Sequence, residues 1–159
     1  MPTRKRRIYW DAACIIALLN REATTEEKYL TAIEGTFEEM LDGKLLIVTS
    51  DVFRTEVFVD KDDRDAQAVY NNLLGCDSFV ILDVRTPMFD LAGQLRQRCG
   101  AKRRKLKTAD ALHVAAGSLG RVDEIWTTDN KLVRYHTDGL LTETPVCLPH
   151  LRQLRLRFE

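Results

Sequence analysis

The sequence predicts an α/β fold, a three-layer α/β/α sandwich around a central, mainly parallel sheet of four to five strands. Three observations predict it. Short apolar runs alternate with longer amphipathic ones along the chain. The clearest short run, "KLLIVTS" (44–50), is apolar without a break, as a strand buried on both faces is. The segments between such runs are long enough for helices, and strands joined by helices pair in parallel with helices on both faces of the sheet.

The elements follow in order. "RIYW" (7–10) reads as the first strand and "AACIIALLN" (12–20) as the helix directly after it. In "TTEEKYLTAIEGTFEEMLDG" (24–43), Tyr29, Ile33, Phe37 and Leu41 fall on one helical stripe, and Gly43 is placed as a stop. After the second strand, 44–50, "DVFRTEVFVD" (51–60) and "DRDAQAVYNNLLG" (63–75) read as helices. "FVILDV" (79–84) is the third strand, and a helix, "MFDLAGQLRQRCG", follows Pro87. "KTADALHVAAGSLG" (107–120) is a helix built for burial, "EIWTTD" (124–129) the fourth strand and "PVCL" (145–148) the fifth.

Residues 1–159 are expected to form a single domain, with 148–159 as a C-terminal packing or oligomer segment. Lys plus Arg and Asp plus Glu number 24 each, so the net charge is zero, which argues against nucleic-acid binding by bulk charge alone. A local basic surface remains open. Cys14, Cys76, Cys99 and Cys147 form no CxxC pair and fit reduced thiols of a cytoplasmic protein. Three widely spaced histidines, His113, His136 and His150, argue against a Cys/His zinc site. "TRKRR" followed by "AACIIALL" imitates a secretory signal, but Asp11 interrupts it and no small-residue cleavage pattern follows. No apolar run approaches the roughly 20 residues needed to cross a bilayer.

Sites in parallel sheets gather at the carboxyl ends of the strands. Asp11 directly follows the first strand and Asp129 the fourth, Glu56 lies in the helix after the second, and Asp110 occupies the first turn of the apolar 107–120 helix. Each also has a plain structural reading. Asp11 suits the N-cap of the 12–20 helix, Asp129 the cap of a short turn before "KLVRY", and Glu56 the surface of an amphipathic helix. Asp110 suits the dipole of a helix capped by Thr108. Three or four capping residues have no reason to converge on one edge, however. Clustered carboxylates repel unless some stay protonated or a cation neutralises them. An oxygen-only set favours a hard ion, Mg²⁺ or Mn²⁺.

With these residues in place, the chain resembles the PIN domain, a metal-dependent nuclease fold that includes the VapC toxins of bacterial toxin–antitoxin pairs. The resemblance rests on "IYWDAACIIALL", "TSDVFRTEV", "LKTADALHVAAG" and "IWTTDNKL", in the family's order across residues 8 to 132. It implies that Asp11, Glu56, Asp110 and Asp129 are the four acidic residues, with Thr127 as a supporting hydroxyl. It implies a metal-dependent endoribonuclease, an RNA substrate, an antitoxin partner and a homodimer. The chain departs from the pattern at Ala13, where the family usually carries Asn two residues after the first acid.

"AKRRKLK" (101–107) sets Lys102, Arg103, Arg104, Lys105 and Lys107 immediately before the Asp110 helix, where they can meet substrate phosphates. "TRKRR" (3–7) lies at the other end of the first strand from Asp11. Trp10 and Trp126 read as core rather than base-stacking platforms. In the C-terminal "CLPHLRQLRLRF", Leu148, Leu151 and Leu154 suit a packed helix, a dimer contact or a docking place alike. The competing reading is a PIN-like module that binds RNA or protein without cutting, supported by Ala13 and opposed by four intact acids. An aspartyl phosphatase would need a second Asp at position 13 and is set aside.

Overall fold

The sheet has five strands: β1 (Arg6–Trp10), β2 (Leu45–Ser50), β3 (Phe79–Leu82), β4 (Glu124–Trp126) and β5 (Val146–Cys147). Their order is β3–β2–β1–β4–β5 and every neighbouring pair is parallel. The computed structural model describes residues 3–21 and 25–151. The expectation of four to five mainly parallel strands resolves to five, all parallel.

Side-chain alternation along the strands divides the interior into two cores. Ile8, Trp10, Leu45, Ile47 and Trp126 pack with helices α1 (Ala12–Asn20), α2 (Glu27–Leu41) and α3 (Arg64–Gly75). Tyr9, Val48, Ile125 and Val146 face the other way, against α4 (Thr86–Ala101), α5 (Thr108–Leu119) and α6 (Asn130–Thr137). Period-two alternation under helices on both faces produces the three layers. Trp10 and Trp126 are fully buried, as core residues.

The chain runs outward from β1 through β2 to β3, then crosses back to place β4 and β5 on the other side of β1. The order therefore reverses between β1 and β4. In open parallel sheets, that reversal leaves a crevice at the carboxyl ends of the strands.

Several boundaries differ from the sequence reading. Residues 51–60 do not form a regular helix: a 3-10 turn covers Asp51–Thr55, Val52, Phe53 and Val57 are buried, and Phe58 is 80% exposed. The buried positions of α2 are Ala32, Ile33, Thr36 and Met40, so the stripe is turned away from Leu41, which is largely exposed. Gly43 does act as the stop, at φ +72° with its N–H donating to the Met40 carbonyl, a conformation glycine adopts without strain. β4 ends at Trp126 rather than residue 129, and the polar octet of α6 was not anticipated. Residues 152–159, most of the C-terminal segment, lie outside the described residues.

Among the described residues no helix is long and apolar enough to cross a membrane. All four cysteines are free thiols, with Cys14 and Cys99 buried.

Candidate functional site

The backbone hydrogen bond from Asp11 N–H to the Trp126 carbonyl, 3.2 Å, carries the β1–β4 pairing past the end of β1. It sets Asp11 beside Thr127. Asp11 is the N-cap of α1, its Oδ1 accepting from Cys14 N–H at 3.1 Å. Burial pushes its carboxyl up, the charge of Asp110 adds to this, and His113, the Thr127 hydroxyl and the Cys14 N–H act against it.

Thr127, fully buried, serves both strand-end acids. Its hydroxyl accepts from Asp129 N–H at 3.1 Å and helps to hold the Asp11 carboxyl down. Asp129 caps α6 through Oδ1, which accepts from Lys131 N–H at 2.9 Å. The capping readings of Asp11 and Asp129 are therefore correct as structure. A cap of this kind engages Oδ1 and keeps the carboxylate's charge.

Asp110 stands in the first turn of α5, one helical turn before His113. The helix starts at Thr108, and Lys107, without a side-chain bond, occupies the cap position expected for Thr108. Burial pushes the Asp110 carboxyl up, and the charges of Asp129 and Glu56 push it further; His113 and Lys107 oppose them. Glu56 follows the 3-10 turn, with its backbone N–H on the Phe53 carbonyl at 3.0 Å. Its Oε2 lies 2.7 Å from His113 Nε2.

The acids thus meet at Asp110, near the β1/β4 reversal: its charge helps to raise the Asp11 carboxyl, and the charges of Asp129 and Glu56 help to raise its own. They stand around this edge without closing on one another. Among the described residues, no three of them bring carboxylate oxygens within 4.8 Å of each other. Asp110 and Asp129 line a small cleft of about 70 Å³ with Lys105, Lys107, Lys131 and Tyr135.

The basic run divides. Lys105 and Lys107 share the cleft with the acids. Arg103, at φ +56°, lines the adjoining groove with Arg96 and Lys105, and Lys102 is exposed at the end of α4. Arg104 lines that groove too, but it is committed elsewhere: it pairs with Asp138 and lies over the Tyr135 ring at 5.6 Å. In "TRKRR", Arg4 and Arg6 form ion pairs at the amino end of the sheet, with Asp123 and Glu124, and Arg7 donates to the Gly120 carbonyl.

A large groove, lined by Lys5, Lys44 and His150 among others, lies at that amino end, away from the four acids. Glu124, Cys147 and His150 gather there with ligand atoms within 4.8 Å. Their chemistry disfavours a cation. Arg6 and Trp126 Nε1 each donate to Glu124 Oε2 at 2.8 Å, and burial together with Glu124 pushes the Cys147 thiol up to about 12.

Sequence reasoning missed His113, Tyr9 and Ser50, which connect behind Glu56, and Lys131 in the cleft. A signal for His113 was present: it lies three residues after Asp110 on the same helix side, in an otherwise apolar segment.

The model of the PIN domain family matches residues 8–137. Solved structures with similar folds come from complexes. VapBC2 from Rickettsia felis, bound to a DNA fragment from its promoter, is 13% identical with a TM-score of 0.64, covering 89% of this chain and 98% of that one. FitAcB from Neisseria gonorrhoeae is 17% identical with a TM-score of 0.61, covering 91% and 99%. A toxin–antitoxin complex from Klebsiella pneumoniae is 17% identical with a TM-score of 0.58, covering 90% and 98%. No curated protein is recognisably similar in sequence.

Proposed function

The chain belongs to the PIN domain family, and from that premise we propose that it is a Mg²⁺- or Mn²⁺-dependent endoribonuclease, the toxin half of a toxin–antitoxin pair. The observation that carries the reading is the convergence of Asp11, Glu56, Asp110 and Asp129 at the β1/β4 reversal, with two of the carboxyls raised by burial and by their neighbours. Keeping such a cluster charged is costly without a cation.

The donor set fits the metal. All four side chains offer oxygen, which hard divalent ions prefer. Mg²⁺ is held through one or two carboxylates together with waters and substrate phosphates, so it does not require all four acids to close on it. When bound, the ion polarises the scissile phosphate and acidifies a water. Asp11 and Asp129 are held for this task by Thr127 and by their own helix N-termini. Glu56 or Asp129 orients the attacking water and takes up its proton. The water oxygen would bond to phosphorus as the bond to the leaving oxygen breaks, and the leaving oxygen would take its proton from solvent. Lys105, Lys107 and Lys131 border the cleft and hold the flanking phosphates, with Arg103 continuing the basic track.

The antitoxin partner is supported by the neighbours, which come from VapBC, FitAB-type and toxin–antitoxin assemblies. An antitoxin, a homodimer, a single-domain organisation and a cytoplasmic setting belong to the same reading. The test is incubation with a panel of mixed RNAs in Mg²⁺ or Mn²⁺, with EDTA as control. New RNA ends that require the metal support the nuclease. RNA bound but never cut, with metal and EDTA equivalent, would favour the silent binding module.

A further inference from the structure

Behind Glu56 runs a chain of three short hydrogen bonds. Ser50 Oγ is 2.8 Å from the Tyr9 hydroxyl, which is 2.7 Å from His113 Nδ1, and His113 Nε2 is 2.7 Å from Glu56 Oε2. The four residues come from the end of β2, from β1, from α5 and from the loop after the 3-10 turn. Ser50, Tyr9 and His113 are buried, while the Glu56 side chain is 30% exposed. The chain thus begins in the sheet and ends at the site edge.

We infer that His113 is a positioning residue for Glu56, itself oriented by Tyr9 and Ser50; the inference rests on the metal-site reading above. A buried histidine often only satisfies a core. Here the second ring nitrogen ends on neither a backbone carbonyl nor another buried group. It ends on an acid whose carboxylate caps no helix N-terminus and, among the described residues, has no other hydrogen bond. Asp11 and Asp129 are steadied by backbone N–H groups. Glu56 sits on irregular backbone, so its aim depends on the ring.

The protons of the chain run one way. A carboxylate only accepts, so Nε2–H donates to Glu56. Nδ1 then accepts from the Tyr9 hydroxyl, which burial holds in its protonated form. The Tyr9 oxygen in turn accepts from Ser50. Partners that fix the tautomer and direction of a site residue in this way typically change metal affinity or activity about 10- to 100-fold when removed.

The experiment compares His113→Asn with His113→Gln, because Asn can replace the Nδ1 partner alone while Gln carries a donor out to the Nε2 position. Mn²⁺ affinity is measured by calorimetry without RNA, kcat and KM with RNA, and folding by thermal unfolding. The expected result is that His113→Asn weakens Mn²⁺ binding about 10-fold or more and lowers kcat with KM little changed, while His113→Gln recovers most of both. Tyr9→Phe, nearly isosteric, shifts Mn²⁺ affinity in the same direction by less. Equal behaviour of Asn and Gln overturns the inference, whether both match the native protein or both lose binding along with stability. An unchanged Tyr9→Phe overturns the link through Tyr9. A native protein that neither binds Mn²⁺ nor cuts RNA sinks the site reading and this inference with it; a native enzyme that His113→Asn matches sinks this inference alone.

Discussion

Asp11 Oδ1 accepts a hydrogen bond from the Cys14 backbone N–H at 3.1 Å, so the acid that ends β1 also starts α1. One residue thus does two separable jobs. Asn caps helices as well as Asp but carries no charge. Asp11→Asn is therefore expected to fold with undiminished stability and to lose at least 100-fold in cleavage rate. Asp11→Ala is expected to lose the same activity and also about 1 kcal/mol of stability. Urea unfolding beside RNA cleavage for the two variants checks this; equal stability losses would mean that the cap contributes nothing.

Asp110 predicts a pH dependence of known sign. Burial, then Asp129 and Glu56, raise its carboxyl above the ordinary value of 3.8, so the folded protein holds this proton longer than the unfolded chain. Its contribution is fully present below the ordinary carboxylate range and is lost as pH rises through the folded-state value. In EDTA, the Tm advantage of Asp110→Asn over the native protein should appear as pH rises and vanish in acid. At neutral pH, added Mg²⁺ should raise the native Tm and barely move that of the variant.

The basic run separates by partner. Lys105→Ala and Lys107→Ala should each raise KM for RNA at nearly constant kcat and reduce the slope of log KM against log salt by about 0.7, the single-strand value per phosphate contact. Lys102→Ala should change neither. Arg104→Ala should instead cost up to about 1 kcal/mol of stability through the half-exposed Asp138 pair and the Tyr135 ring. Steady-state kinetics at several salt concentrations and urea unfolding distinguish these outcomes.

Gly117 is where α5 comes down onto the sheet. A Cβ there would lie 2.7 Å from the Ile125 side chain and 3.2 Å from Tyr9 Cγ. Alanine gains about 1 kcal/mol in helix propensity over glycine, but overpacking costs about 1–3 kcal/mol. Gly117→Ala should therefore lower the urea midpoint with the slope unchanged. A raised midpoint would mean that α5 has slack above Tyr9.

The second strand was legible because it is buried on both faces, and "KLLIVTS" shows that burial without structural context. Asp11, Asp110 and Asp129 were legible because each lies at a local boundary between elements. Glu56 lies on different backbone from the helix expected for it. "VFRTEVFV" has the apolar density of a helix, yet Val52, Phe53 and Val57 reach the core from a short turn and an irregular segment. His113 was not legible as a site residue because its partners are distant in sequence: Glu56 lies 57 positions away and Tyr9 104. α6 escaped because its eight residues bury only Leu132 and Tyr135.

The most direct test of the account is single-turnover cleavage of RNA in Mn²⁺ by the native protein and by Asp110→Asn, with RNA affinity measured in parallel. The change keeps the size of the side chain and removes its charge. The account predicts that the native protein cuts only with metal, and that the variant binds RNA as well but cuts at least 100-fold more slowly. A variant that cuts at the native rate would make Asp110 a first-turn helix residue and nothing more, and would contradict the metal-site assignment.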